Sequence, residues 1–138
     1  MASDADDSTS RGRQSHFGQV AVAHHARGVA LVTMRGEHDL STQPVVERAL
    51  QLAAAHSNVV VDLSECSFID STVISEFIKT SERVRASGEQ IMLVIPPAQT
   101  HLGRIAKMVG LAQIFEVHES KDGAFASLDK KRNEGPGA

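Results

Sequence analysis

Short apolar runs of strand length alternate along the chain with longer stretches in which apolar residues recur every three or four positions. The short runs are rich in Val, Ile and Leu and predict β-strands. They lie at residues 20–22, 29–34, 59–63, 90–95 and 113–117. The longer stretches predict helices with one buried face. Their apolar stripes are Val46, Ala49, Leu50 and Ala53; Ile74, Phe77, Ile78, Ser81 and Val84; Leu102, Ile105, Ala106 and Val109; and Ala124, Phe125 and Leu128.

The order of these elements predicts the fold class. Two strands come first and should pair as an antiparallel hairpin, after which helices and strands alternate. Residues 59–63 and 90–95 are apolar almost throughout, which is typical of parallel strands buried on both faces. Alternating strands and helices connect by right-handed crossovers. We therefore expect an α/β fold: one domain with a mixed, mostly parallel sheet of four to five strands, an N-terminal antiparallel hairpin and about four helices.

Glycine, proline and capping residues mark the predicted element boundaries. The polar segment 24–28 is the expected hairpin turn, and Gly36 is expected to end the second strand. Four further signals are typical of helix ends. They are Thr42 with Pro44 at the first helix start, Gly88 and Gly110 after the second and third helices, and Ser120 before the last helix.

Both ends of the chain are polar and lack long apolar stretches. We expect a disordered N-terminal tail at residues 1–15, a domain at 16–128 and a flexible C-terminal tail at 129–138. The N-terminal stretch has no apolar core of the signal-peptide kind. No apolar run approaches the roughly 20 residues of a membrane-spanning helix, so we expect no membrane association.

Composition narrows the classes of partner and compartment. The chain of 138 residues has a net charge of −3, five Phe and no Trp or Tyr, so direct nucleic-acid binding is not favoured. Its one cysteine, Cys66, precludes a disulfide within the chain, and a cytoplasmic location is expected. Cys66 follows a strand candidate and is expected to be a small buried side chain, with a redox thiol as the alternative.

Two polar loops follow predicted strands, at residues 36–42 (GEHDLST) and 66–72 (CSFIDST). In sheets of this kind the loops at the carboxyl ends of strands carry function. We therefore expect Asp39 of the first loop and Asp70 and Ser71 of the second to lie towards one end of the sheet.

Most enzyme and metal classes find no support in the sequence. Ser71 lacks the flanking glycines of a hydrolase nucleophile elbow, and no glycine-rich phosphate loop is present. No cofactor is expected, and the histidines have no partners at metal-ligand spacing. A receiver domain phosphorylated on Asp62 or Asp70 would need an acidic pair after the first strand, where the chain has His24-His25-Ala26-Arg27.

The triplet Asp70-Ser71-Thr72 has two interpretations. Asp70 or Ser71 can simply cap the helix that follows, which stabilises a helix by about 1 kcal/mol and requires no function. Alternatively, the Ser71 hydroxyl carries a phosphoryl group, which free amides and the helix dipole favour at a helix start. Phosphorylation would add about −2 charges beside Asp39 and Asp70 and convert a docking surface into a repelling one.

Three segments, in order, resemble the STAS domain of bacterial anti-sigma factor antagonists. They are GEHDLST at residues 36–42, VVVDLSECSFIDST at 59–72 and RIAKMVGL at 104–111. The first is similar to the family's Gly-Glu-x-Asp-x-x-Thr after its second strand. The second resembles its Val-x-Asp-Leu…Phe-x-Asp-Ser-[Ser/Thr], and the third its helix that ends in Gly-Leu. The resemblance covers residues 17–128 and includes the order of elements.

The resemblance implies a function and a set of site residues. The family's phosphorylated serine falls on Ser71, with Thr72 as second choice, and its loop acid falls on Asp39. The implied partner is an anti-sigma factor that is also a serine kinase with a histidine-kinase-like ATPase fold. Its capture would release a sigma factor, phosphorylation would end the capture, and a serine phosphatase would restore it. The partner-binding residues we expect are Asp39, Asp70, Ser71, Thr72, Ile74, Ile105 and Leu111.

The sequence departs from the family where Asp-Ser-[Ser/Thr] usually continues Gly-Leu-Gly. Val73 and Ser75 replace the two glycines. Both residues firm the first helical turn, and we expect them to add bulk where a kinase must approach. The alternative function is a STAS-like regulatory or scaffold module, nucleotide-binding or not, that phosphorylation does not control. An enzyme in its own right is the third class.

Overall fold

A computed structural model describes residues 18–25, 28–55, 57–97 and 101–133 of the chain. Its five strands form one sheet in the order β1-β2-β3-β4-β5. Strand β1 pairs antiparallel with β2, and the other neighbours pair in parallel. Their bounds are β1 Gln19–His25, β2 Val29–His38, β3 Asn58–Ile69, β4 Ile91–Val94 and β5 Glu116–His118. The predicted mixed sheet with its N-terminal hairpin is confirmed.

Five α-helices connect or follow the strands. They are α1 Gln43–Ala54, α2 Ser71–Ala86, α3 His101–Val109, α4 Leu111–Ile114 and α5 Lys121–Asn133. A single 3₁₀ turn, Leu40–Thr42, joins β2 to α1. The expected count of about four helices holds for the longer ones, since α4 is a single turn of 4 residues.

Alternate residues of the central strands pack on opposite faces of the sheet. Ala30, Val32, Val59 and Val61 belong to the larger core cluster, together with buried residues of α1, α2 and α3. Val29, Leu31, Val60 and Met92 belong to a second cluster with Ala124 and Leu128 of α5. Burial on both faces is the physical reason why these strands read as continuous apolar runs.

Three strands run further than the sequence predicted. Strand β1 includes His24 and His25 of the expected hairpin turn, and the extensions of β2 and β3 lead to the site. Gly36 does not end β2. It adopts a φ of 79° inside the strand, where the pairing with β3 shifts register between Gly36 and Glu37. Strand β2 therefore reaches His38. Strand β3 likewise reaches Ile69, so only the last residues of the predicted loop at 66–72 lie outside it. The partner of this extension is β2, since β4 pairs only with Val59 to Asp62.

Some predicted boundaries and faces were wrong. The buried residues of α2 are Val73, Glu76, Phe77, Thr80 and Val84. The predicted stripe was right at Phe77 and Val84 and at Ile74, which is half-buried against the core, and wrong at Ile78, which is 38% exposed. The last strand begins at Glu116, because Leu111–Ile114 forms a helical turn in place of the strand expected from residue 113.

The predicted tails are only partly within the described residues. Ser120 caps α5 as predicted, with its Oγ accepting from the Gly123 N–H at 3.0 Å. That helix extends to Asn133, so the first residues of the expected C-terminal tail are helical. Residues 1–17, 134–138 and part of the expected hairpin turn lie outside the described residues.

Candidate functional site

The carboxyl ends of β2 and β3 lie side by side and carry the two acids that the sequence singled out. The parallel register pairs Glu37 with Phe68 and His38 with Ile69. Asp39 and Asp70 are the next residues of the two strands, so both leave the sheet at the same end. The predicted proximity of the two loops therefore follows from the strand register.

Asp70 begins α2 as its N-cap. Its Oδ1 accepts a hydrogen bond from the Val73 N–H at 3.1 Å, and its backbone oxygen accepts from the Ile74 N–H at 3.1 Å. Asp70, and not Ser71, therefore supplies the cap. Ser71 occupies the first helical position with an exposed side chain, and its hydroxyl bonds to no residue that the structure describes.

The replacement of the first family glycine does not obstruct the surface. Val73 has no exposed area and belongs to the larger core cluster, so its side chain points inwards. The expectation that it adds bulk where a kinase approaches is wrong, because helical geometry turns this position away from Ser71. Ser75 is exposed, and Thr72 is half-buried.

Asp39 caps the 3₁₀ turn in a similar way. Its Oδ1 accepts from the Ser41 N–H at 2.9 Å and from the Ser41 hydroxyl at 2.6 Å. The Asp39 N–H in turn donates to Thr42 Oγ1 at 3.2 Å, which completes a capping box. These bonds, the Ser41 hydroxyl first, lower the pKa of Asp39, so its carboxylate is charged at neutral pH.

Sequence reasoning missed two buried polar residues beside these loops. His38 has no exposed area and bonds through both ring nitrogens. Glu76 is 4% exposed, and its Oε2 accepts from Gln43 Nε2 at 2.7 Å, while Lys79 Nζ lies 3.4 Å away. The Gln43–Glu76 bond joins the first residue of α1 to the second turn of α2. Neither residue stood out in the sequence: His38 lies between two acids, Glu37 and Asp39, and Glu76 bonds to a residue 33 positions away.

Partly or largely exposed apolar side chains lie close in sequence to the two acids. Leu40 is 70% exposed and Phe68 37% exposed, and Ile74 is half-buried on α2. We define the docking surface as Asp39, Leu40, Phe68, Ser71, Thr72 and Ile74. Exposed apolar residues next to charged ones at a loop cluster are typical of protein-binding sites.

Helix α3 packs against β3 and carries the remaining candidates. Ile105 is half-buried and packs on the core, and beside it Met108 is 85% exposed. Val109 was expected on the buried stripe but is 50% exposed. Leu111 is 1% exposed, so its side chain supports α3 from within and offers a partner no surface.

The described residues lend little support to metal binding, thiol chemistry or phosphorylation of Asp62. They contain no group of three His, Cys, Asp or Glu side chains that could hold a metal ion. Burial raises the pKa of the Cys66 thiol to about 11, so this thiol is neutral at pH 7 and matches the expected small buried side chain. Asp62 is 6% exposed and accepts from the Ser64 N–H, so it is not displayed for phosphorylation. Across the described ranges, every helix is too short or too polar to cross a membrane.

Comparison with known proteins agrees with this architecture. The family model of the STAS domain matches residues 21–124. The anti-sigma-B factor antagonist of Listeria monocytogenes is 31% identical over 88 residues, which are 62% of this chain and 75% of that protein. The anti-sigma F factor antagonist of Paenibacillus polymyxa is 25% identical over 116 residues, or 80% of this chain and 95% of that one. The crystal structure of an anti-sigma factor antagonist from Mycobacterium paratuberculosis superposes with a TM-score of 0.69 at 26% identity, covering 80% of this chain and 92% of that chain.

Proposed function

The chain belongs to the STAS domain family, and from that premise we propose that it is an anti-sigma factor antagonist switched by phosphorylation of Ser71. In this proposal the unphosphorylated protein binds an anti-sigma factor and thereby releases a sigma factor in the bacterial cytoplasm. The bound partner is a serine kinase with a histidine-kinase-like ATPase fold. It phosphorylates Ser71 and ends the capture, and a serine phosphatase reverses the modification.

One observation carries the proposal: an exposed serine hydroxyl stands at the first position of a helix whose cap is already supplied by its neighbour. Asp70 binds the free N–H of Val73, so a phosphoryl group on Ser71 would not cost the helix its cap. The helix is 16 residues long, and its dipole favours a negative charge at this end. The relatives named above support the general activity through their names.

The docking surface explains how phosphorylation changes affinity. Leu40 supplies the most exposed apolar side chain of this surface, and its burial against a partner would favour binding through the hydrophobic effect. A phosphate on Ser71 would place about −2 charges in the middle of it, at the same end of the sheet as the ionised Asp39. A partner that fits an apolar surface beside one acid would then have to desolvate and face several negative charges.

Ser75 replaces the second family glycine and is the replacement that could affect the approach of a kinase. Ser75 is exposed on the same helix as Ser71, so only this replacement alters the surface a kinase meets. A serine side chain is small, and we propose that a cognate kinase accommodates it.

A pull-down from the source bacterium's lysate tests the proposal, with three baits: wild type, Ser71→Asp and Ser75→Asp. The third bait is the matched control, because it adds the same charge to an exposed position one turn further along α2. Because Ser75 lies on the surface that a kinase meets, a fourth bait, Ser87→Asp, places the same charge on an exposed residue at the other end of α2. We expect wild type and Ser87→Asp to retain a small ATP-binding kinase that Ser71→Asp loses, with Ser75→Asp in between. If all the baits retain the same proteins, the switch at Ser71 is contradicted.

A second candidate, a STAS-like module that binds a small molecule such as a nucleotide, rests on one cavity of about 420 Å³. It lies at the carboxyl ends of β4 and β5. The helices that follow these strands, α3 and α5, pack on opposite faces of the sheet. Ligand sites of α/β folds commonly lie where the chain diverges in this way. Its lining is mostly apolar, with Lys107 as its one cation among the described residues. This lining suits a triphosphate poorly, and binding of a GTP or ATP analogue without any kinase would favour this candidate.

A further inference from the structure

The buried imidazole of His38 is unused by the switch described above, yet it lies directly before Asp39. His38 is the last residue of β2 and has no exposed area. Its Nε2 lies 2.9 Å from the Arg35 backbone oxygen, and its Nδ1 lies 3.0 Å from Thr42 Oγ1. One ring therefore links the end of the strand to the last residue of the 3₁₀ turn.

The partners of the ring determine its tautomer. A carbonyl oxygen only accepts, so Nε2 carries the proton and donates to Arg35. In the neutral ring Nδ1 is then bare and accepts from the Thr42 hydroxyl. Thr42 Oγ1 in turn accepts from the Asp39 N–H at 3.2 Å. The Thr42 hydroxyl has one hydrogen and two acceptors within reach, His38 Nδ1 at 3.0 Å and the Asp39 backbone oxygen at 3.3 Å, and the shorter contact favours Nδ1. With that assignment the hydrogen bonds run from the Asp39 N–H through Thr42 and His38 to the Arg35 oxygen.

The neutral state that this chain of bonds needs is favoured by burial. Burial lowers the pKa of His38, although the backbone carbonyls of Arg35 and Gln19 and the nearby Asp39 carboxylate partly oppose this. At neutral pH the ring is therefore uncharged and Nδ1 is free to accept.

Gly18 fixes the ring from the other side. A Cβ atom at this position would lie 2.5 Å from the Glu37 backbone oxygen and 2.5 Å from His38 Cε1, closer than such atoms approach. The residue before β1 therefore packs against the imidazole so tightly that only glycine fits. The ring cannot shift towards Gly18, so its Nδ1 stays aimed at Thr42.

We propose that His38 and Thr42 are positioning residues that hold the Asp39 carboxylate in place on the docking surface. Gly18 packs against the imidazole ring and limits its movement. Within the described residues the Thr42 hydroxyl makes no capping bond to α1, and its other bonds are those that close the 3₁₀ turn onto the Asp39 backbone. The inference rests on the proposed function, since it matters for capture only if Asp39 meets the partner.

Isosteric substitutions of Thr42 test the proposal with the full chain. Thr42→Val removes the hydroxyl and keeps the shape, and Thr42→Ser restores the hydroxyl. Thr80→Val is the matched control: Thr80 is 1% exposed and its hydroxyl donates to the Glu76 backbone oxygen at 2.8 Å, on a helix outside the Asp39 loop. Three readouts apply to each variant: affinity for the kinase retained by the wild-type bait, hydrogen exchange of the Ser41 amide, and the melting temperature.

We expect Thr42→Val to weaken capture by about five- to tenfold, as the loss of one ordered hydrogen bond implies. It should also expose the Ser41 amide, whose bond to Asp39 reports on the position of that carboxylate. Thr42→Ser should recover most of the affinity and protection. Thr80→Val should lower the melting temperature while capture and Ser41 protection stay unchanged.

The outcomes separate this proposal from the proposed function. If the Ser41 amide stays protected in Thr42→Val, or if Thr80→Val weakens capture equally, the positioning role is overturned. If the amide is exposed but capture is unchanged, the positioning role stands and the role of Asp39 in capture fails. A further test uses the wild-type protein, so it does not depend on a variant that folds. The ¹⁵N chemical shifts of the His38 imidazole should show a neutral ring that is protonated at Nε2. A neutral ring protonated at Nδ1 would overturn the proposal.

Discussion

The loops that follow β2 and β3 look alike in sequence, yet the structure treats their hydroxyls differently. Each begins with an aspartate that caps the turn after it, and each carries a serine and a threonine. In the first loop Asp39 accepts from the hydroxyl of Ser41, and Thr42 bonds to His38, so both hydroxyls are engaged. In the second, Asp70 accepts only a backbone N–H, and Ser71 stays exposed and available.

This difference indicates separate tasks for the two loops. The first presents a charged carboxylate whose Oδ1 is held by Ser41, while Thr42 holds the Asp39 backbone. The second presents a hydroxyl at the start of a long helix, where an added anion is stabilised by the helix dipole. A serine beside an aspartate is therefore not sufficient to predict a phosphoacceptor. What matters is whether the aspartate engages the hydroxyl or a backbone amide.

The largest expected effect is the loss of phosphate incorporation when Ser71 is replaced, with Ser41 as the comparison. Ser71→Ala should abolish phosphate incorporation by the cognate kinase, whereas Ser41→Ala should be labelled on Ser71 as wild type is. Labelling with γ-³²P-ATP followed by peptide mapping measures both. Continued labelling of Ser71→Ala would move the site to Thr72 or elsewhere and break the contrast between the loops.

A smaller effect is expected from the caps themselves. Asp70→Ala removes the N-cap of a long helix and should lower the free energy of unfolding by about 1 kcal/mol. Asp70→Asn is the matched control, because asparagine caps as well without the charge, and it should be nearly neutral. Asp39→Ala affects only a turn of 3 residues and should cost less than Asp70→Ala. Urea denaturation measures all three, and equal losses at both aspartates would contradict the comparison.

The smallest effect concerns the charge of Asp39. Its pKa lies below the ordinary value of 3.8 chiefly because the Ser41 hydroxyl bonds to the carboxylate. Ser41→Ala should therefore raise the pKa of Asp39 in an NMR titration of its carboxyl carbon. The bond contributes stability above the ordinary pKa and loses it as pH falls through the lowered value. An unchanged pKa in this variant would mean that Ser41 does not hold the carboxylate.

Most of the fold followed from patterns that report burial directly. The strands at the centre of the sheet are buried on both faces, and their apolar runs identified them and their order. The extension of β3 was not predictable in this way, because β4 ends beside Asp62 and leaves the last residues of β3 partly exposed and polar. The expectation that Gly36 ends β2 was wrong for a different reason. A residue with positive φ ends many strands, but here a register shift accommodates it within β2.

The site was predictable in its acids and its serine, and not in what holds them. Asp39, Asp70 and Ser71 were singled out because they follow predicted strands and match the motifs of the resemblance. The hydrogen bonds of His38 span only 3 and 4 residues, but Gly18 packs against its ring from another part of the chain. Glu76 bonds to Gln43, which lies 33 residues away in sequence. The roles in capture and phosphorylation stay predictions.

The most direct test of the central claim is a calorimetric titration of the cognate anti-sigma kinase with two forms of this protein, unphosphorylated and stoichiometrically phosphorylated on Ser71. The account predicts that phosphorylation weakens binding at least tenfold, or about 1.4 kcal/mol, without changing the melting temperature of the protein alone by more than a few degrees. Equal affinity of the two forms would contradict the switch and leave Ser71 as an exposed residue at the start of a capped helix.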